Sequence, residues 1–395
     1  MIAIIPFFII FIQVGFSWWL GISLFICIVY MSKCKPAKLS LHNIYFGTIL
    51  LVGVSFSLLQ FPELTARDIS RSFREVLILI IFVTFLNLEL KINVTALGLR
   101  LERNILIVTI FLFTFTLLQY FLLKQGQLLQ IPREFLGDRQ SFQTTQLDLK
   151  FSKIRPAGSF SEPSLLGLVF LGLFLTGIPR LSQSTKSKII CSLSLSGLVL
   201  SQSKSALFFA ILMIFVLLID IQALVETKKI RVKLQIFALL IAVIAFGILR
   251  NIIWQTISSF SGSSSVANRI TNPLEILPSF LISHPFGVPH YARLSTGTAL
   301  VSAREWTLLS DNGIYNLLFS YGIVALMFLF GIFWAVKNNK LLGIFTVAAL
   351  LQNGSFLDID KLALMFFLSK TWSVLSESNY VKLPRNSFKT VRSFK

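Results

Sequence analysis

The sequence predicts an all-α protein, a polytopic transmembrane helical bundle of about 11–12 spans with a large extracytoplasmic loop. Three observations carry that prediction. Apolar residues make up 55% of the chain and charged residues 13%, too apolar a balance for a soluble domain of 395 residues. Apolar runs of about twenty residues recur along the chain, each long enough for a helix to cross the hydrocarbon of a bilayer. The formal net charge of +19 is spread over short basic clusters at the ends of those runs. That is the pattern of membrane topology, and it argues against a nucleic-acid surface, where the basic residues would gather in one domain.

The first apolar run, 2–31, is long for one helix and short for two, and Gln13 to Gly15 can mark a turn between two short ones. It lacks a basic leader and a persuasive small-residue cleavage site, so it reads as a retained span and not as a secretory signal. Spans at 43–60, 76–90 and 105–123 complete an N-terminal transmembrane region, 1–123. Residues 124–163 form an extracytoplasmic loop ending in RPAGSFSEPS. The central region, 164–250, holds spans at 164–179, 188–200, 205–225 and 234–250. A large extracytoplasmic loop, 251–313, leads to spans at 314–336, 341–357 and 362–379, and the basic tail 380–395 follows.

Orientation comes from Lys and Arg, which stay on the cytoplasmic side of span ends. Lys33, Lys35 and Lys38, Lys91, Arg100 and Arg103, Arg180, Lys186 and Lys188, Lys228 to Lys233, Lys337 and Lys340, and the tail from Lys382 all fall on one face. The two long loops, with nearly balanced charge, fall on the other. The C-terminus is therefore cytoplasmic and the long loops extracytoplasmic. Asp220 and Lys370 lie toward cytoplasmic span ends, where snorkelling is inexpensive, so an ion relay is not indicated. Cys27 and Cys191 fall in apolar runs and Cys34 in a basic loop, which gives no disulfide framework. The three histidines form no metal-ligand spacing with them, and neither metal nor cofactor is expected.

Polar chemistry collects on the outer face. Arg155 precedes Glu162 across Pro156 and Gly158, which disfavour a continuous helix, so the pair can meet across a turn. The turn SQSK brings Lys204. The large loop carries Arg269 after SGSSS, then His284 with Pro285 and Gly287, Arg304 with Glu305, and Asp311 with Asn312. Arginine binds phosphate oxygens bidentately and keeps its charge, so these cations suit a lipid diphosphate. A nearby carboxylate can take the proton of an attacking sugar hydroxyl, with Glu162 and Asp311 as candidates. Each residue also has a plainer reading. Arg155 would be an interfacial anchor, Glu162 a complement to a helix dipole and Arg269 a surface residue. His284 would pack in its turn, Asp311 would cap the helix near Gly313, Lys204 would mark the interface and Arg304 would pair with Glu305.

Together these segments resemble the O-antigen polymerase and ligase superfamily, in particular the Wzy-type exopolysaccharide polymerases, the colanic acid type among them. RPAGSFSEPSLLGLVF is similar to that family's arginine, glycine, aromatic and Glu-Pro segment leading into a span, and LSQSKSALFFAIL to its serine-rich basic turn. SGSSSVANRI and SHPFGV are similar to its large extracytoplasmic loop, and SDNGIYNLLFSYGIVAL to the segment that re-enters the membrane. The resemblance covers 150–335 well and the first third only in hydropathy. It implies a GT-C-like glycosyltransferase of the bacterial inner membrane. Such an enzyme transfers a growing glycan from undecaprenyl diphosphate to the sugar of another lipid-linked repeat unit, in O-antigen, capsule or exopolysaccharide synthesis. It further implies a flippase and a chain-length regulator as partners. By position, Arg155 and Arg269 would bind diphosphate or glycan, Glu162 would orient the acceptor or act as base, and Arg304 and Lys204 would assist. Where ligase members carry a His-Asn pair this chain has Asp311-Asn312, which favours polymerase over ligase. The base stays open among Glu162, His284 and Asp311. A transporter or flippase for lipid-linked sugars is the alternative from another class; it needs a polar path through the bilayer, whereas here the polar groups gather at the outer mouth.

Overall fold

The computed structural model describes residues 41–59, 94–127, 155–160, 163–181, 184–203, 205–214, 272–288, 313–336 and 339–351, with isolated helical positions between 66 and 80 and between 361 and 375. Among these residues the regular elements are helices and no strand occurs. The spans predicted at 2–31 and 234–250 lie outside them, and those at 76–90 and 362–379 are represented by isolated helical positions.

Helix α1 (Leu41–Leu59) matches the predicted span at 43–60 closely. Helix α2 (Val94–Lys124) begins well before the apolar run at 105–123, because Leu99, Arg100, Leu101, Glu102 and Arg103 are good helix formers that continue it. Helix α3 (Pro163–Gly177) starts on a proline, whose fixed φ suits the first helical turn, and closes in a 3-10 turn, Ile178–Arg180. Helix α4 (Thr185–Ser201) ends at Gln202, the described non-glycine residue with positive φ (+51°), whose N–H returns to the Val199 carbonyl. Helix α5 (Ser205–Ile214) follows directly.

Helices α3 and α4 form an antiparallel hairpin in which glycines admit the opposite side chain. A Cβ on Gly177 would meet the Ser187 carbonyl oxygen at 3.0 Å, one on Gly197 the Phe170 ring, and one on Gly167 the Ser203 side chain. Helix α2 runs alongside α4 in the same direction. At one end the Glu102 carboxylate accepts from Arg180 Nη1 at 2.7 Å and from Ser187 Oγ at 2.8 Å, all three residues being buried. At the other end Gln119 and Thr116 meet the segment that leads into α3. From Glu102 to Gln119 the helix rises about 25 Å at 1.5 Å per residue, most of the ~30 Å hydrocarbon thickness of a bilayer.

Between those ends runs a polar seam with a seven-residue period. Glu102, Thr109 and Thr116 of α2 and Ser187, Ser194 and Ser201 of α4 are all buried. Thr109 donates to the Ile105 carbonyl at 2.8 Å, Thr116 to Leu112 at 2.7 Å and Ser201 to Leu198 at 2.9 Å. Hydroxyls such as these three, small and satisfied on their own helix, let two otherwise apolar helices pack closely. Arg180, which the sequence groups with the cytoplasmic loop charges, is thus an internal ion-pair partner, while Lys186 and Lys188 are exposed.

Among the described residues, two helical stretches are long and apolar enough to cross a membrane, Leu97–Lys124 and Pro163–Arg180. The second is buried nearly throughout. The first exposes Leu99, Ile107, Ile110, Phe111, Leu118 and Phe121.

The C-terminal elements depart from the expected single span at 314–336. Helix α7 (Gly313–Tyr321) and helix α8 (Val324–Val336) are separated at Gly322, whose φ of +56° ends the right-handed run. Within the long loop predicted at 251–313 lies a further helix, α6 (Asn272–Ser283), packed on α7. Helix α9 (Lys340–Leu350) is capped by Asn339, whose side chain accepts from the Leu342 N–H at 3.1 Å. It sets Phe345 against Gly172 of α3, so that α3 lies between α4 and α9. On α8, Val324 abuts Gly53 of α1, and Leu326, Phe330, Phe333 and Trp334 face outward.

Candidate functional site

The segment Arg155–Phe160 is docked where α2 ends and α3 begins. The Gly158 N–H donates to Gln119 Oε1 at 2.7 Å, a buried bond between residues far apart in the chain. Gly158 has φ +63°, and a Cβ there would stand 2.9 Å from Leu166 Cδ1 and 3.5 Å from Thr116 Oγ1. The left-handed backbone therefore favours glycine here, and a Cβ would further oblige the Leu166 side chain to shift. The Phe160 N–H turns back to the Ala157 carbonyl at 3.1 Å, and Ala157 and Phe160 are both 3% exposed. Pro156 is buried as well, which leaves Arg155 half-buried at the edge of a packed turn. The Ser159 hydroxyl oxygen is buried with no hydrogen-bond partner in the structure.

The SQSK turn reaches the same place. Ser203 is buried and fills the space beside Gly167, one turn inside α3, while Ser201 Oγ would lie 3.2 Å from a Cβ on that glycine. The Ser203 N–H points to Ser201 Oγ at 3.4 Å, and its carbonyl accepts from the Leu207 N–H at 2.9 Å, which opens α5. Two segments singled out in the sequence thus converge on the head of α3. Glu162 and Lys204, which adjoin Pro163 and Ser203 in the chain, lie outside the described residues, as do Arg269, Arg304 and Asp311.

His284 belongs to a second grouping. Its backbone N–H closes α6 on the Phe280 carbonyl at 2.7 Å, and its ring lies 5.1 Å from that of Phe280, which in turn stacks on Phe319 of α7 at 3.9 Å. Partial burial moves the imidazole below its ordinary value of 6.5. A neutral ring at pH 7 is the form that accepts a proton. No group of three or more His, Cys, Asp and Glu side chains suited to a metal occurs among the described residues.

Sequence reasoning did not single out Gln119, although the signal was present. A carboxamide inside an apolar run must find a partner when that run is buried, and here the partner is the backbone of the arginine segment. The Glu102–Arg180 pair was missed because Arg180 sits in a basic loop by sequence and Glu102 just outside the apolar run.

In comparison with known proteins, the family model described as WcaD colanic acid polymerase matches residues 3–371. No curated protein and no solved structure matches the chain.

Proposed function

The chain belongs to the WcaD colanic acid polymerase family, and is therefore a polysaccharide polymerase in general character; from that membership we propose that it is a multi-pass membrane glycosyltransferase acting on lipid-linked repeat units. The donor is a glycan on undecaprenyl diphosphate, and the acceptor is the sugar of a second lipid-linked unit. A hydroxyl oxygen of the acceptor attacks the anomeric carbon of the donor; the new C–O bond forms as the bond to diphosphate breaks, undecaprenyl diphosphate departs, and a base takes the hydroxyl proton. Arg155 and Arg269 hold diphosphate or glycan, Lys204 and Arg304 assist, and the base is Glu162, Asp311 or His284. The reaction takes place on the extracytoplasmic side, supplied by a flippase and limited by a chain-length regulator.

The observation that carries this reading is the convergence of the arginine segment and the serine turn on the head of α3. A guanidinium at the edge of a rigid, buried turn is pre-positioned for an anionic headgroup, and little entropy is lost when it binds. Membrane embedding is supported by the outward-facing apolar side chains of α2 and α8, a surface that water would solvate poorly. It is also supported by the rise of α2 between its two polar ends. The seam between α2 and α4 is closed by packing, with Thr109, Thr116, Ser194 and Ser201 at 1% exposure or less, which speaks against its use as a sugar path.

Reversing the charge tests the role of Arg155. Cells carrying Arg155→Glu should hold normal amounts of the protein in the membrane yet accumulate single repeat units in place of polymer, and Arg155→Lys should restore part of the chain growth. Full-length polymer from Arg155→Glu would remove Arg155 from the site.

A further inference from the structure

The large loop is spliced into the break between α7 and α8. In an unbroken helix the Ile323 N–H would donate to the Phe319 carbonyl, four residues back. Instead the Ile323 N–H donates to the Pro285 carbonyl at 2.9 Å, and the Phe319 carbonyl accepts from the Val288 N–H at 2.7 Å. One helical hydrogen bond is replaced by two bonds to the strap His284–Val288, so the polar groups opened by the break are both satisfied.

Two glycines make the splice possible. Gly287 has φ +72°, and a Cβ on it would stand 2.5 Å from the Gly322 nitrogen, 2.6 Å from the Tyr321 nitrogen and 2.7 Å from the Phe319 oxygen. Gly322 has φ +56°, and a Cβ on it would strike the Pro285 carbonyl and stand 2.6 Å from the Gly287 nitrogen. All of these obstacles are backbone atoms, which cannot swing aside as a side chain can. Rings fasten the strap and the helix before it: Phe286 stacks on Phe56 of α1 at 5.5 Å, and Phe280 of α6 on Phe319 of α7 at 3.9 Å.

We infer that Gly287 and Gly322 are positioning residues, which lock the strap of the large loop to the bundle, and that substrate capture by that loop depends on the lock. The inference rests on the proposed function, in which that loop supplies Arg269, a residue shortly before α6 in the chain. The lock acts through the loop and touches no reacting atom. Its loss therefore weakens substrate capture more than turnover.

The test uses the full-length protein in proteoliposomes, with Gly287→Ala, Gly322→Ala and Phe286→Ala. The last removes the stack on Phe56 without adding an atom at the splice, which keeps the inference testable if an alanine at either glycine prevents assembly. Trypsin added from the loop side should cut at Arg269, Arg293 or Arg304 at least about fivefold faster in the variants, because the loop opens locally more often. With undecaprenyl-diphosphate-linked colanic acid repeat units as probe, KM should rise at least about tenfold with a smaller change in kcat. Unchanged cleavage in all three variants would overturn the lock. Faster cleavage with unchanged KM and kcat would overturn its positioning role. A wild-type protein that elongates nothing would overturn the proposed function instead, and the cleavage rates alone would then decide whether the strap holds the loop.

Discussion

At the scale of single residues, the ion pair between Glu102 and Arg180 is the feature with the largest energetic stake outside the site. Both side chains are nearly fully buried, at 5% exposure for Arg180 and 3% for Glu102. Removing one partner strands the other charge in an apolar interior, which costs about 3–5 kcal/mol. Replacing both with apolar residues of similar volume removes that penalty. Glu102→Leu and Arg180→Met should each lower the unfolding temperature in detergent sharply, and the double variant should recover most of the loss. If the two single losses simply add in the double variant, the pair is not the unit it is taken to be. At this scale the sequence anticipated that the Arg155 segment leads into a helix, which α3 is, and was uninformative about Arg180. A basic residue between two apolar runs looks the same whether it faces cytoplasm or an internal carboxylate.

At the scale of elements, the seam between α2 and α4 separates a packing role from a polar path. Ser194 is fully buried, and its hydroxyl has no hydrogen-bond partner in the structure. Deleting that hydroxyl removes an unsatisfied group that costs about 1–3 kcal/mol, whereas a large side chain must force the helices apart at a cost of about 1–3 kcal/mol. Ser194→Ala should therefore match or exceed the wild-type unfolding temperature and keep polymer synthesis, and Ser194→Leu should lose both. A loss of activity in a stable Ser194→Ala protein would mean that the hydroxyl does more than pack. The seven-residue spacing of Thr109 and Thr116, and of Ser187, Ser194 and Ser201, is visible in the sequence. Its pairing across two helices is not, because nothing local says that α2 and α4 are neighbours. The break at Gly322 was hidden for a related reason. A glycine inside a run as apolar as 314–336 is compatible with an unbroken membrane helix, and only the strap from residues distant in sequence, with Pro285 against it, ends that helix.

At the scale of the whole molecule, composition alone anticipated a helical protein, and helices are what the described residues form. Hydropathy located α1, α3 and α4 to within a few residues, and the start but not the end of α9, because each is an apolar run bounded by charge or by Gly and Pro. It treated 251–313 as loop because length and polarity dominate there, although Ile276, Leu277, Phe280 and Leu281 already trace one side of a short helix. The candidate site was legible as two segments, RPAGSFSEPS and SQSK, and their meeting at the head of α3 required the fold. Under the proposed function both the donor and the acceptor are lipid-linked repeat units. The direct measurement is to supply purified protein in proteoliposomes with undecaprenyl-diphosphate-linked colanic acid repeat units alone and to resolve the lipid-linked products by size. A ladder of longer glycans still carried on undecaprenyl diphosphate is the predicted result. Units that remain single, or that appear only on the opposite side of the membrane, would contradict it.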